Sequence, residues 1–205
     1  TSTREPQYVS LEDAPDADIL LDEPVEITEE GLMDDPRSKR PKARPEVETG
    51  DTADFNFKDT SIKLVSDLMK DFNLTKTQAA AIVGNLAWES DNYQGMQEYE
   101  PAVKDSRGGY GFAQWTGARR RMFEEWSKEN ELDPNSYEAN YGFLKFELSS
   151  PNNEIGNMGV NTIKKLKDTK DLDTATSVVM NEYLRPGTPH EEKRKKRSLQ
   201  VLDLI

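Results

Sequence analysis

Thr75-Lys76-Thr77-Gln78-Ala79-Ala80-Ala81-Ile82-Val83-Gly84-Asn85-Leu86-Ala87-Trp88-Glu89-Ser90, followed by Gly108-Gly109-Tyr110-Gly111-Phe112-Ala113-Gln114-Trp115-Thr116-Gly117, decides the fold. The first stretch predicts a helix. Thr75 and Gln78 have the spacing of a capping box, in which each side chain bonds the other's backbone N–H. Leu74 and Ala79 flank it as a staple. Ala79, Ile82, Val83, Leu86 and Ala87 then recur at helical spacing. On a wheel of about 100° per residue, Glu89 falls about 20° from Ile82, at the border of the apolar face. The second stretch is a glycine-rich turn, whose residues permit positive φ and close approach of backbone to a ligand.

Glu89 sits where the helix ends. The helix dipole and apolar neighbours both disfavour a charged carboxylate there, which predicts a raised pKa suited to a general acid. The alternative is a solvated glutamate paired with Lys104 or Arg107. Composition sets the bounds around this stretch. Of 205 residues, 27 are Lys or Arg and 39 are Asp or Glu, and the net charge of −12 argues against a nucleic-acid binder. There is no cysteine and a single histidine, His190, so disulfides and thiolate or His-rich metal sites are excluded. No metal or cofactor is expected. No apolar run reaches membrane-spanning length, and no signal peptide is visible. The chain begins at Thr1, not Met, as an excised piece of a longer protein would.

Working outward, residues 1–54 form an acidic, Pro-containing segment without helical or strand period. Ile19-Leu20-Leu21 and Ile27 are scattered through it, and Lys39-Arg40-Pro41-Lys42-Ala43-Arg44-Pro45 is a short basic patch. Its reading is a disordered linker, or an extended arm that folds along a partner. A domain of residues 55–205 follows. Ile62, Val65, Leu68, Met69 and Phe72 mark a first helix that Asn73 ends. Residues 90–106 form a polar loop with room for a small hairpin. Trp115, Ala118, Met122 and Trp126 mark a third helix, with Arg119, Arg120 and Arg121 on solvated faces. Asp133-Pro134 reads as the start of a fourth, bearing Tyr137, Tyr141, Leu144 and Leu148. Val160–Lys167 is a short helix, and Asp173 caps the next. Thr188-Pro189-His190-Glu191 reads as a second capping box, opening a basic helix that ends in Leu199, Leu202 and Ile205, with Glu192 to Arg197 as a solvated face or one that touches an anionic surface. His190 is expected to be exposed and without a role.

These motifs resemble a known family. Ala81 to Ser90, then Gly109 to Arg120, then Tyr183-Leu184-Arg185-Pro186-Gly187 look like the phage tail lysozyme family, over roughly Phe57 to Leu204. The resemblance implies an α+β, mainly helical, lysozyme-like fold. It implies cleavage of the β-1,4 bond between N-acetylmuramic acid and N-acetylglucosamine in peptidoglycan, with Glu89 as the acid. It also implies saccharide contacts from Ser90, Tyr110, Gly111, Phe112, Gln114 and Trp115, although Gln114 reads equally well as an amide bracing the turn. Such domains sit in tail or ejected virion proteins and open the wall locally, so the expected partners are glycan strands and, through the arm, other virion proteins.

Glycoside hydrolysis normally takes two carboxylates. Glu98 is the expected second, ahead of Glu100. With no second carboxylate, Glu89 would act as acid and base in a lytic transglycosylase, and the muramyl 6-hydroxyl would attack. A third reading is a non-catalytic wall-binding module of a tail.

Overall fold

A computed structural model of the chain describes residues 55–98, 101, 106–151 and 155–205. The expectations for the 1–54 arm, and for Glu100 and Lys104, lie outside the described residues. Among those residues there are seven α-helices: α1 (Phe57–Phe72), α2 (Lys76–Glu89), α3 (Gly117–Glu129), α4 (Tyr137–Ser149), α5 (Met158–Lys167), α6 (Leu172–Val179) and α7 (Glu191–Leu202). A π-helical turn, Met180–Leu184, continues α6.

Where the sequence left a loop or a small hairpin open between α2 and α3, the described residues pair only through two isolated antiparallel bridges, Gln97 with Tyr110 and Tyr110 with Trp115. The fold of the described residues is therefore mainly helical, not α+β. The reason is local. Gly108, Gly111 and Gln114 have φ of 72°, 75° and 47°, so extended backbone is interrupted on both sides of each bridge. Single pairings form and no ladder can grow from them.

α2 is the axis of the fold. Its capping box is present: Thr75 Oγ1 accepts from the Gln78 N–H at 3.2 Å, and Gln78 Oε1 accepts from the Thr75 N–H at 3.0 Å. Every residue from Gln78 to Ala87 is buried, so this is a core helix and not an amphipathic surface one. It packs against α7, α6 and α1. The run of alanines and Gly84 makes that possible, because small side chains let three neighbours approach. A Cβ on Gly84 would collide with Cα and Oγ of Ser198 on α7. The closeness has a cost: Ser198 Oγ is buried without a hydrogen-bond partner among the described residues.

Several helix ends differ from the sequence reading. Asp133-Pro134 forms a turn, in which Asp133 Oδ1 accepts from the Asn135 N–H at 2.9 Å, and Ser136 caps α4 instead. Asp171, two residues before Asp173, caps α6 by accepting from the Thr174 N–H. The second capping box does not form. His190 is the N-cap residue of α7, at φ 48°, and offers no side-chain cap. Glu191 accepts instead from Ser177 Oγ at 2.6 Å.

α1 and α4 are laced by two tyrosine–aspartate bonds, Tyr137 to Asp67 at 2.6 Å and Tyr141 to Asp71 at 2.7 Å. The Tyr141 hydroxyl, and then the Lys145 ammonium at 2.9 Å, hold the Asp71 carboxyl below its usual range.

Two outcomes follow from this packing. Gly84→Ala is expected to destabilise the domain by about 1–3 kcal/mol in urea unfolding, as overpacking does, whereas Ser198→Ala is expected to be neutral or stabilising. Asp71, with a folded pKa below its unfolded one, stabilises fully above about pH 4 and loses that contribution as pH falls through its folded value. Tyr141→Phe is therefore expected to flatten the acid limb of a stability-versus-pH curve; an unchanged limb would contradict the assignment.

Candidate functional site

Glu89 is the last residue of α2, and its side chain is 20% exposed. The sequence supplied it with apolar neighbours and a helix dipole. The structure sets against both a cation, which favours charge where they disfavour it. Arg194 of α7, 2% exposed in its side chain, reaches Glu89 Oε1 with Nη2 at 2.8 Å. The rest of the guanidinium is also engaged. Nε donates to the Pro189 carbonyl at 2.6 Å and Nη1 to Asn85 Oδ1 at 3.2 Å. Asn85, fully buried one turn before Glu89, donates its own amide to the carbonyls of Ala81 (2.9 Å) and Thr176 (3.2 Å). One arginine thus ties the end of α2, α6 and the entry to α7 around the candidate acid. The Arg107 pairing weighed for Glu89 is not made, because Arg107 pairs with Glu124.

The chain leaves α2 through Ser90, whose side chain is fully buried. Its hydroxyl donates to Leu86 O at 2.8 Å and accepts from the Tyr93 N–H at 3.2 Å. Ser90 therefore shapes the helix exit and is not in reach of a saccharide. From there the loop is fastened to the glycine turn in two steps. The Gly95 N–H donates to Ser90 O at 2.8 Å, and Gln114 Nε2 donates to Gly95 O at 2.8 Å and to Gly111 O at 2.9 Å. The Gln114 amide nitrogen thus braces the turn.

The aromatic residues of the turn also differ from expectation. Phe112 and Trp115 are 0% and 1% exposed, inside the core and not on a cleft wall. Phe112 packs edge-on against Phe55 and Tyr93, and Trp115 against Phe143, with ring centroids 5.0–5.1 Å apart. Gly111 is required where it stands. At φ 75°, a Cβ would come within 2.6 Å of Asn140 Oδ1, which itself accepts from the Phe112 N–H at 2.9 Å. Tyr110 stays half-buried, with its hydroxyl on Asn135 Oδ1 at 3.0 Å. Glu98 is exposed, and its Oε2 accepts from the Gly109 N–H at 2.9 Å, so the loop carboxylate lies along the turn.

A second buried ion fastens the turn to the C-terminal motif. Glu147 of α4, 0% exposed, accepts from Trp115 Nε1 (2.8 Å), Arg119 Nε and Nη2 (2.8 and 2.7 Å) and the Tyr183 hydroxyl (2.6 Å). Burial, and then Glu147 beside it, push the Tyr183 hydroxyl well above its usual pKa, so it stays a donor. Arg119 and Arg120 are accordingly not solvated. Arg120 is 8% exposed and donates to Gln97 Oε1 at 2.7 Å and Gly108 O at 3.1 Å.

Around Glu89 lies a group that the sequence reading left without a role. The Trp88 ring, half-buried, stands 5.8 Å from the exposed His190 ring and 5.4 Å from Lys193 Nζ. A cavity of about 470 Å³ lies at the opposite end of α2, among Asn73, Thr75, Thr77, Gln78, Lys167, Thr169 and Lys170. Its lining holds no carboxylate, so it does not compete with Glu89 as a site of acid chemistry.

Arg194 and Glu147 escaped the sequence reading because both are charged residues on inward helix faces. A signal for each was present. Arg194, Ser198 and Val201, like Asn140, Leu144 and Glu147, share a face at i, i+4, i+7, and all six are buried. Arg194→Met is expected to destabilise the domain by on the order of 3 kcal/mol, since Glu89 and Asn85 lose a buried partner. Arg194→Lys, which retains a charge but not the fork, should recover part of that in the same denaturation experiment. A Met variant as stable as the parent would remove Arg194 from this role.

A family model described as phage tail lysozyme matches residues 60–205. No curated protein matches the chain.

Proposed function

The chain belongs to the phage tail lysozyme family, and from that premise we propose that it is a virion-associated glycosidase cleaving the β-1,4 bond between N-acetylmuramic acid and N-acetylglucosamine. Family membership implies peptidoglycan degradation; the bond and the moment of action are our reading. Its place is a tail or ejected virion protein that opens the host wall locally. Residues 55–205 carry the activity, within a lysozyme-like variant of the mainly helical fold. The arm, 1–54, joins the enzyme to other virion proteins.

The observation that carries the reading is the Glu89–Arg194 arrangement. The glutamate is partly exposed, and its partner is nearly buried and held by three bonds. In the proposed reaction Glu89 protonates the leaving glycosidic oxygen. Arg194, on Oε1, is already in place to meet the negative charge that the departing proton leaves, and it need not reorganise to do so. Glu98 is the proposed second carboxylate, stabilising the oxocarbenium-like transition state or activating water. Tyr110, Gly111 and Gln114 form the rim of the saccharide site. Phe112, Trp115 and Ser90 support that rim from inside.

The second reading, a lytic transglycosylase, is favoured by one observation. Glu98 is occupied by the Gly109 N–H, whereas the partner held against Glu89 is a cation. Glu89 would then serve as acid and base, and the product would be an anhydro sugar.

Digesting sacculi and weighing the released muropeptides separates these readings. Reducing ends are expected. Anhydro ends would establish the transglycosylase, and no release with retained binding would establish a wall-binding module. Glu89→Gln, which keeps an acceptor oxygen for Arg194 but removes the charge, is expected to lower turnover by about 10²–10⁴-fold in a chain that still folds at a lower thermal midpoint, and Glu98→Gln by a smaller factor. Lysis by the Glu89 variant at the parental rate would remove the acid from the mechanism.

A further inference from the structure

α7 carries five consecutive cationic residues, Lys193 to Arg197, on a chain of net charge −12. Two of them are matched by carboxylates. Arg194 turns inward to Glu89, and Lys195 pairs with Glu191 and Glu192 at 3.1 and 3.2 Å. Lys193, Lys196 and Arg197 have no carboxylate partner among the described residues. At about 100° per residue these three share one face of the helix.

Two of the three are seated on aromatic rings. Lys193 Nζ is 5.4 Å from the Trp88 centroid, and Arg197 Cζ is 5.3 Å from the Phe57 centroid. The His190 ring stands beside the same indole. Long cationic side chains held over rings lose less rotamer freedom when an anion arrives. The row runs about 6 Å along α7 at 1.5 Å per residue. Its first member, Lys193 on Trp88, precedes Arg194, which holds Glu89, so the row starts next to the Glu89 ion pair.

We propose that this row, Lys193, Lys196 and Arg197 with Trp88 at its head, binds the carboxylates of the peptide stems borne by the glycan strand. The inference rests on the glycan-cleaving role of Glu89 and names the part of the substrate that this role leaves unaccounted for. Stems leave the muramyl sugar beside the bond to be cut, and they carry free carboxylates. An extended stem of a few residues, at about 3.3 Å each, is long enough to reach from Trp88 along the row. The apolar face of Trp88 suits the stem's alkyl parts, and the cations suit its acids. A glycan stripped of stems offers the row nothing.

The test uses the full chain carrying Glu89→Gln, so that binding is read without cleavage. Two soluble ligands are compared at fixed ionic strength: glycan strands with stems intact, and the same strands after an amidase has removed the stems. The stem-bearing strand is expected to bind about 10-fold more tightly, with an affinity that falls as salt rises. Adding Lys193→Gln and Lys196→Gln is expected to abolish that preference at an unchanged thermal midpoint. Lys196→Gln alone, at an exposed position, should reduce it and guards against a folding artefact at Trp88. Equal affinity for the two strands, a preference that survives the double substitution, or polyphosphate competing more strongly than stem peptide would each overturn the proposal. Failure of the enzyme reading looks different: the unsubstituted chain would release no muropeptide from sacculi while the stem preference persisted.

Discussion

The guanidinium of Arg194 is the constraint around which the C-terminal half of the molecule is arranged. Taking an arginine out of water costs several kcal/mol unless its donors are all met. Here a carboxylate, a side-chain amide oxygen and a backbone carbonyl meet one donor on each of its three nitrogens, the first two from the end of α2 and the third from the entry to α7. The three acceptors are Glu89, Asn85 and Pro189, so the arginine can be satisfied only when α7 enters beside the end of α2. The left-handed turn at His190, φ 48°, delivers that entry and puts the Pro189 carbonyl within reach of Nε. Specificity of docking, more than net stability, is what such an arrangement supplies.

Glu147 does the same for the other half. It lies between α4 and the segments on either side of it in sequence, and it takes four donor contacts from Trp115, Arg119 and Tyr183. The glycine turn and the C-terminal motif, far apart in the chain, meet at this one carboxylate. The two buried ions have opposite sign and divide the work. One fixes the helix end that bears Glu89, and the other fixes the turn that faces the loop beyond it. The Gly95–Gln114 bond joins the two regions through the loop.

Apolar periodicity made most of this fold legible. The capping box of α2 and the stop at Asn73 stand as the sequence indicates, whereas the stripe of α1 is rotated: Val65 and Leu68 are buried with Leu64, and Ile62 is exposed. Failures cluster where charge points inward. On α7 the apolar Leu199 is 51% exposed, while the buried face is Arg194, Ser198 and Val201. Tertiary packing overrode the pattern there, because Gly84 admits only a small side chain opposite it and Glu89 demands a cation. At Asp133-Pro134 and Thr188–Glu191 the local capping signals were outcompeted by neighbours, Ser136 in one case and Ser177 with Lys195 in the other. At the glycine turn, positive φ at three positions confines the pairing of the described residues to isolated bridges.

The site was legible as residues and not as roles. Phe112, Trp115 and Ser90 are as much part of the motif as Glu89, yet their side chains are at most 1% exposed. The glycine turn has no strand ladder among the described residues to make it rigid. Rigidity has to come from beneath. The Phe112 ring anchors the turn in an aromatic cluster, Asn140 receives its N–H, and the Gln114 amide spans its mouth. Motif letters that suggest ligand contact therefore encode the scaffold of a small loop. Glu89, Trp88, Glu98 and Tyr110 are the members of this region that keep solvent exposure, and they are held in register by those the solvent never meets.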